Sequence, residues 1–366
     1  MTEILAAVAR QPGAALTLEH LQLEEPRADE IRVRVVATGV CHTDLVARDQ
    51  QLPVPLPVVL GHEGAGIVER VGSAVTKVAV GDPVVMTFNS CGRCPSCQDH
   101  AATYCHQFFP LNFFAARADG SSALSAAGEP VHGHFFGQSS FASHALCNER
   151  NVVKVPADVP LELLGPLACG IQTGAGAVLN ALRPQAGQSL VVFGVGSVGL
   201  SAIMAAHLTG VATIIAVDLH DTRLALAREL GATHTVNGGR EDAREAILAI
   251  TGAGVDFALD TTGSARIVRQ AVESLAPRGT CGILGASNQE VSLDLTQLMS
   301  AGRSVRGIVE GESVPDVLIP RLIALYRQGR FPFDRLVTFY PFEQINQAIH
   351  DSEQGRAIKA IVRLPA

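Results

Sequence analysis

Cys91, Cys94, Cys97 and Cys105 follow one another as C-x2-C-x2-C-x7-C, four thiols within fifteen residues. Thiolates at that spacing can surround one Zn2+ tetrahedrally with every position filled, a structural and not a catalytic arrangement. The first three also match an iron–sulfur run, but the fourth comes at the wrong interval and no proline follows it. A closed zinc site contributes folding free energy to its own loop.

A second set of ligand-type residues is dispersed. Cys41-His42-Thr43-Asp44 and Gly61-His62-Glu63 lie close in sequence, while Cys169 stands far off in Gly165-Pro-Leu-Ala-Cys-Gly170. Taken singly, each is as well explained by an ordinary place in a core or on a surface, and spacing alone does not join them.

The third constellation is Gly194-Val195-Gly196-Ser197-Val198-Gly199. Three glycines so placed let a strand turn sharply into a helix and let the backbone approach a pyrophosphate. An apolar run precedes it, a helical run follows, and Asp218 closes the next strand 19 residues after Gly199. A carboxylate there accepts hydrogen bonds from ribose hydroxyls and repels a 2′-phosphate, which favours NAD over NADP. Arg223, five residues on, pulls the other way, because a guanidinium can help hold a phosphate.

These residues need elements to position them. The first third of the chain is rich in short strand-like runs, Ile31 to Ala37, Gly66 to Val71 and Asp82 to Thr87, parted by turn residues, which predicts a largely antiparallel domain. From about residue 186 strands alternate with helices. Strands are expected at Leu190–Phe193, Thr213–Val217, Val255–Leu259 and Thr280–Leu284, and helices at Val198–Leu208, Thr222–Leu230, Glu241–Ile250 and Ser264–Leu275. Such alternation means a parallel, doubly wound sheet. After about residue 309 a helix, Val314 to Tyr326, and a last segment, Phe342 to Val362, leave the pattern, and the tail is expected to return to the first domain.

Composition narrows the function classes. The 366 residues suit two domains, and 47% hydrophobic against 17% charged residues resembles a tightly packed α/β enzyme. A formal charge of -7 without a basic stripe gives a nucleic-acid partner no support. Arg183 to Asp218 encloses no charged residue, but Gly194, Gly196, Gly199, Gly210 and His207 break it into pieces too short for a membrane span. The opening Met1-Thr2-Glu3-Ile4-Leu5 has no signal-like pattern, so a cytoplasmic location is expected, and cysteines there are thiols or metal ligands more often than disulfides.

The combination resembles the zinc-containing medium-chain alcohol dehydrogenases, in the family's order and over nearly the whole chain. Val36-Ala-Thr-Gly-Val-Cys-His-Thr-Asp-Leu45, Leu56-Pro-Val-Val-Leu-Gly-His-Glu-Gly64, His134-Phe-Phe-Gly-Gln-Ser-Ser-Phe-Ala142 and Leu163-Leu-Gly-Pro-Leu-Ala-Cys-Gly-Ile-Gln-Thr-Gly174 resemble the aryl-alcohol (benzyl alcohol) dehydrogenases in particular. The resemblance implies a Rossmann cofactor domain at 171–309 and a mainly antiparallel, GroES-like catalytic domain at 1–170 and 310–366. It implies that Cys41, His62 and Cys169 bind a catalytic zinc, with Cys91, Cys94, Cys97 and Cys105 on a structural one, two zincs per chain. Glu63 would be the carboxylate near the catalytic metal, Asp44 the partner fixing the His62 tautomer, and Thr43 the acceptor of the alcohol proton. Thr173, Val198 and Leu284 match positions lining the nicotinamide, and Lys359 matches a cationic position facing the pyrophosphate.

The implied chemistry is reversible oxidation of a primary alcohol to the aldehyde, with hydride passed to NAD+ and zinc acting as Lewis acid and template. In many relatives a histidine five residues beyond the first ligand ends the proton path. Val46 stands there, and His42 is the substitute candidate for the relay or for the pyrophosphate.

Phe108, Phe109, Phe113, Phe114, Phe135, Phe136 and Phe141 fall within 34 residues, with Phe88 just upstream. That density suits a flat apolar pocket for a benzyl ring, although core packing accounts for at least half of the rings, and a terpenoid or cinnamyl group would fit as well. Competing readings are an aliphatic or glutathione-dependent formaldehyde dehydrogenase and a catalytically silent NAD-binding protein. The expected partners are a small alcohol or aldehyde and further copies of the chain, a tetramer favoured over a dimer, with no nucleic acid and no membrane.

Overall fold

The computed structural model describes residues 1–365. They form two compact units: Met1–Cys169 with Val314–Ile323 and the chain from Asp334 onward, and Gly170–Ser313 with Ala324–Phe333.

The first unit is built on a seven-stranded and a five-stranded sheet. Its central strand, Glu30–Gly39, shows why: Ile31, Val33, Val35 and Ala37 fall two apart and are 0–1% exposed, the period of a pleated strand with one face in the core. It pairs antiparallel with Gly64–Val71 on one side and with His144–Asn148 and the C-terminal strand Lys359–Arg363 on the other. Ile361 faces Gly39 across that last ladder, so the tail is a strand of the first unit's sheet. The core beneath runs through Ile31, Val33, Val84, Phe135, Phe141, Ile345 and Val362.

The second unit holds six parallel strands in the order His234–Asn237, Thr213–Asp218, Ser189–Phe193, Val255–Asp260, Leu275–Ile283, Ser304–Gly307. Numbered within the sheet this is 3-2-1-4-5-6, the doubly wound order of dinucleotide-binding folds, which reverses between the strands ending at Phe193 and Asp260. Leu190 to Phe193 are at most 1% exposed, as a strand covered on both faces requires. The helix Ser197–Thr209 is buried nearly throughout from Gly199 to Ala206 and stops at Gly210, whose φ is +78°. Its 13 residues span about 20 Å. Among the described residues no helix is long and apolar enough to cross a membrane.

Several elements escaped the sequence reading. The strands His234–Asn237 and Ser304–Gly307 are the sheet's two edges, and their polar composition hides them: only Val236 of the first is buried. The helix Gly170–Gly176, continued by a π-helical stretch at Ala177–Leu182, is another, since three glycines in seven residues mask its period. Ala324–Phe333 groups with the second unit, where the Tyr326 and Phe333 rings pack 4.8 Å apart, and not with the residues around it in sequence.

Candidate active site

The helix His42–Arg48 begins beside the strand end at Gly39, and Cys41 is its N-cap. Asp44, 1% exposed, closes the first turn: its Oδ2 accepts the Cys41 amide at 3.0 Å. Its Oδ1 accepts the Gly61 amide at 3.0 Å and the ring of His62, through Nδ1, at 2.8 Å. One carboxylate therefore ties the two motifs together and aims the other ring nitrogen, Nε2, away from itself. That Nε2 is buried without a hydrogen-bond partner. Cys169 comes to it because Thr87 Oγ1 grips the Ala168 carbonyl at 2.9 Å, and because Gly165, lacking a Cβ, lets the chain lie against the Glu63 carbonyl.

Ligand atoms of Cys41, His62, Glu63 and Cys169 all lie within 4.8 Å of one another. The donor set fits a zinc ion: two sulfurs, an imidazole nitrogen otherwise unsatisfied, and a carboxylate partner on the far ring nitrogen. A hydrogen bond from Cys169 draws the Cys41 thiol well below its ordinary range despite burial. Burial alone would lower His62, but Asp44 and Cys41 push it up. Two sulfurs beside an imidazole nitrogen with no other partner are a set that could hold a cation.

Glu63 and Lys359 form a buried ion pair. Lys359, 2% exposed, places its Nζ 2.8 Å from each Glu63 oxygen and 3.2 Å from the Val40 carbonyl. Its charge is held inside the first unit by the Glu63 carboxylate. Burial raises the Glu63 carboxyl to about 7 while Lys359 pulls it down. Thr43 Oγ1 is 3.8 Å from Cys41 Sγ, at the margin of the cluster, and His42 is exposed.

The four remaining ligand-type cysteines also converge. Cys91 and Cys97 sulfurs are 3.9 Å apart, as are those of Cys94 and Cys105, and a tetrahedron with Zn–S arms of about 2.3 Å has edges of about 3.8 Å. Backbone amides of Cys91 and Gln107 point at Cys105 Sγ, and that of His106 at Cys94 Sγ, at 3.2–3.4 Å. None of the eight cysteines is in a disulfide.

In the second unit Gly194 turns at φ +82° where the sheet order reverses. Asp218, 9% exposed, accepts the amides of Val195 at 2.8 Å, Leu219 at 2.8 Å and His220 at 3.0 Å. Arg223 Nη1 stands 3.9 Å from Asp218, and its buried Nε has no hydrogen-bond partner. Gly174 lets the helix Gly170–Gly176 touch the start of the glycine-turn helix, since a Cβ there would fall 1.9 Å from the Val198 carbonyl oxygen. Val198 thus lies against Gly174, the residue after Thr173, while Leu284 follows the strand Leu275–Ile283 and donates its amide to the Asp260 carbonyl at 2.8 Å. Sequence reasoning passed over Asp260-Thr261-Thr262-Gly263 at the same reversal point, where Thr261 Oγ1 bonds the Gly194 carbonyl at 2.8 Å. It passed over Glu310 too. A polar cluster directly after a buried strand was the available signal for the first.

Comparison with known proteins decides what this arrangement belongs to. Residues 27–157 match the profile of the alcohol dehydrogenase GroES-like domain, and residues 197–325 that of the zinc-binding dehydrogenases. Geraniol dehydrogenase from Castellaniella defragrans is 49% identical over 98% of this chain and 96% of its own. The chain belongs to the zinc-containing alcohol dehydrogenase family. A crystal structure of benzyl alcohol dehydrogenase from Acinetobacter calcoaceticus is 48% identical with a TM-score of 0.97, and that of an alcohol dehydrogenase zinc-binding domain protein from Burkholderia ambifaria is 56% identical with 0.98, each over the whole of both chains.

Around the dehydrogenase's His62 the phenylalanines fall into two groups. Phe136 stacks on the imidazole at 4.4 Å and 23°, and Phe135 meets it edge-on at 5.8 Å. Phe113 abuts both, at 5.0 and 6.1 Å. Phe109 and Phe114 are 49% and 55% exposed, whereas Phe88 and Phe141 are buried in the core. The turn carrying Phe136 is strained, with positive φ at His134, Phe136 and Ser139. Gln138 pins it by donating to the His62 and Met86 carbonyls, both at 3.0 Å.

Proposed function

We propose that this dehydrogenase oxidises primary alcohols whose carbinol carbon is attached to a flat unsaturated group, benzylic first, to the aldehyde with NAD+ as hydride acceptor. The single observation that carries the reading is the aromatic cluster at His62, where Phe136 stacks on the imidazole, Phe135 meets it edge-on and Phe113 packs against both phenylalanines. An allylic terpenoid alcohol is the second reading, favoured by the similarity to geraniol dehydrogenase.

Cys41, His62 and Cys169 would hold the zinc, whose Lewis acidity favours loss of the hydroxyl proton and so the departure of hydride. Asp44 keeps the His62 tautomer that presents Nε2. Thr43 takes the alcohol proton at its Oγ1, and the exposed His42 beside it passes that proton to water. The buried phenylalanine cluster excludes water from the reacting atoms. Asp218 meets the adenosine ribose and sets the preference for NAD over NADP. Cys91, Cys94, Cys97 and Cys105 hold a second, structural zinc. Together with a cytoplasmic homotetramer, these complete the reading.

The test is a panel of kcat/KM values for benzyl alcohol, geraniol and ethanol with NAD+ and NADP+, on protein whose zinc has been counted. Unsaturated alcohols should exceed ethanol by about a hundredfold or more, the scale of burying one ring. Parity with ethanol discards the proposal.

A further inference from the structure

The turn Glu310–Glu312 lies at the carboxyl end of the parallel sheet. It follows the strand Ser304–Gly307, and Ile308 donates its amide to the Ile283 carbonyl at 2.9 Å, so the chain leaves the sheet at the end where Gly194 turns. Three successive residues are left-handed there, with φ of +47°, +64° and +48° at Glu310, Gly311 and Glu312. Two of them bear side chains, a conformation that persists only where surroundings impose it.

Those surroundings are the helix Gly170–Gly176 and the π-helical turn after it. Asn180 Nδ2 holds the Gly311 carbonyl at 3.1 Å, and Ser313 Oγ bonds Gln172 Oε1 at 3.0 Å. Gly311 packs so closely on Gly176 that a Cβ on the latter would sit 2.3 Å from the Gly311 oxygen. The clamp fixes a carboxylate. Glu310, 8% exposed, accepts Gln172 Nε2 at 3.2 Å and Thr173 Oγ1 at 3.3 Å. π-Helical turns and backbone strain both concentrate at functional sites.

A dinucleotide on a doubly wound sheet crosses the reversal point, with one nucleoside over each half. Asp218 belongs to the half that takes the adenosine, so the nicotinamide half falls over the strands ending at Asp260, Ile283 and Gly307, the end that Glu310 occupies. The oxidised nicotinamide ring is a cation and the reduced ring is neutral.

We infer that Glu310 is a redox-biasing positioning residue, a buried anion that stabilises bound NAD+ over bound NADH and orients the Thr173 hydroxyl beside the ring. This rests on the NAD-linked reading above. Glu310 touches no reacting atom. It acts through the field it places on the ring and through Thr173.

Fluorescence titration of the zinc-loaded enzyme gives dissociation constants for NAD+ and NADH separately. Glu310→Gln should weaken NAD+ about tenfold, the scale of one charge acting over several ångströms in protein, and leave NADH within about twofold. For a two-electron couple that ratio corresponds to about 30 mV. Glu310→Asp keeps the charge and tolerates the left-handed backbone, and should move the ratio less than about threefold. Equal weakening of both dinucleotides in Glu310→Gln, or a tenfold change of ratio in Glu310→Asp, overturns the inference while leaving the NAD-linked reading standing. A wild-type enzyme that binds neither dinucleotide overturns both.

Discussion

Asp44 and His62, eighteen positions apart in the chain, meet in a buried hydrogen bond of 2.8 Å that leaves the outer imidazole nitrogen bare beside two cysteines. The same carboxylate closes the first turn of the helix after Cys41. One side chain thus sets the geometry of two residues of the candidate metal cluster.

Asp44→Ala should therefore weaken zinc binding by about 10- to 100-fold, the usual effect of removing a carboxylate behind a metal-binding histidine. Zinc retained after dialysis against graded chelator reads this directly, and a wild-type retention curve would refute it.

Cys97→Ser should cost stability more than chemistry. Zinc content should fall by about one per chain, since a closed four-sulfur site rarely survives with three. Thermal unfolding should begin earlier, while kcat per remaining zinc stays near wild type below the new transition. A collapse of kcat in still-folded protein would mean that this lobe takes part in turnover.

Phe136→Leu removes a ring stacked on His62 yet keeps most of the buried volume. The expected loss in kcat/KM is about tenfold for benzyl alcohol, the upper range for one aromatic pair, and under about threefold for ethanol. Uniform loss across both alcohols would point to zinc-site damage instead.

Glu30 and Arg117 form a bidentate pair at 2.7 and 2.9 Å, with the Arg27 amide at 2.9 Å and His134 Nε2 at 3.7 Å. Burial pushes the Glu30 carboxyl up, but His134, Arg117 and the Arg27 amide outweigh it and hold it at about 2. At 3.7 Å the histidine is beyond hydrogen-bond reach, so we assign most of the effect to Arg117 and the amide. A carboxylate with a depressed folded value stabilises fully above its unfolded pKa of 4.5 and loses that contribution as pH falls toward about 2. The contribution is about 3 kcal/mol. Urea unfolding between pH 6 and about 3 should show Glu30→Gln with a flatter profile than wild type, and parallel profiles would exclude the assignment.

The parallel sheet was legible in the sequence because buried strands such as Leu190–Phe193 are unbroken apolar runs and helices between them repeat at their own period. Its edge strands, His234–Asn237 and Ser304–Gly307, were not, since an edge with one solvated side resembles a loop in composition. The thiol lobe could be read from spacing alone. The other ligand cluster could not, because what joins Cys41, His62 and Cys169 is tertiary: the two-sided Asp44 carboxylate and the grip of Thr87 on Ala168. Lys359 finds its partner in the same tertiary way. Nothing in Ala357-Ile-Lys-Ala-Ile361 says that its ammonium will be swallowed by Glu63, 296 residues away. Glu310 was invisible for a similar reason, since its conformation is imposed by a helix more than a hundred residues earlier.

Asp218 carries one last implication. Its two oxygens are already engaged by the amides of Val195, Leu219 and His220, so the carboxylate is a strut of the very loop that would cradle a pyrophosphate. Exchanging it to recruit a phosphorylated coenzyme would set three backbone groups adrift along with the charge. Retuning this enzyme's coenzyme choice is therefore a task of rebuilding an anchorage, in which new acceptors must be supplied for those amides before any new selectivity can hold.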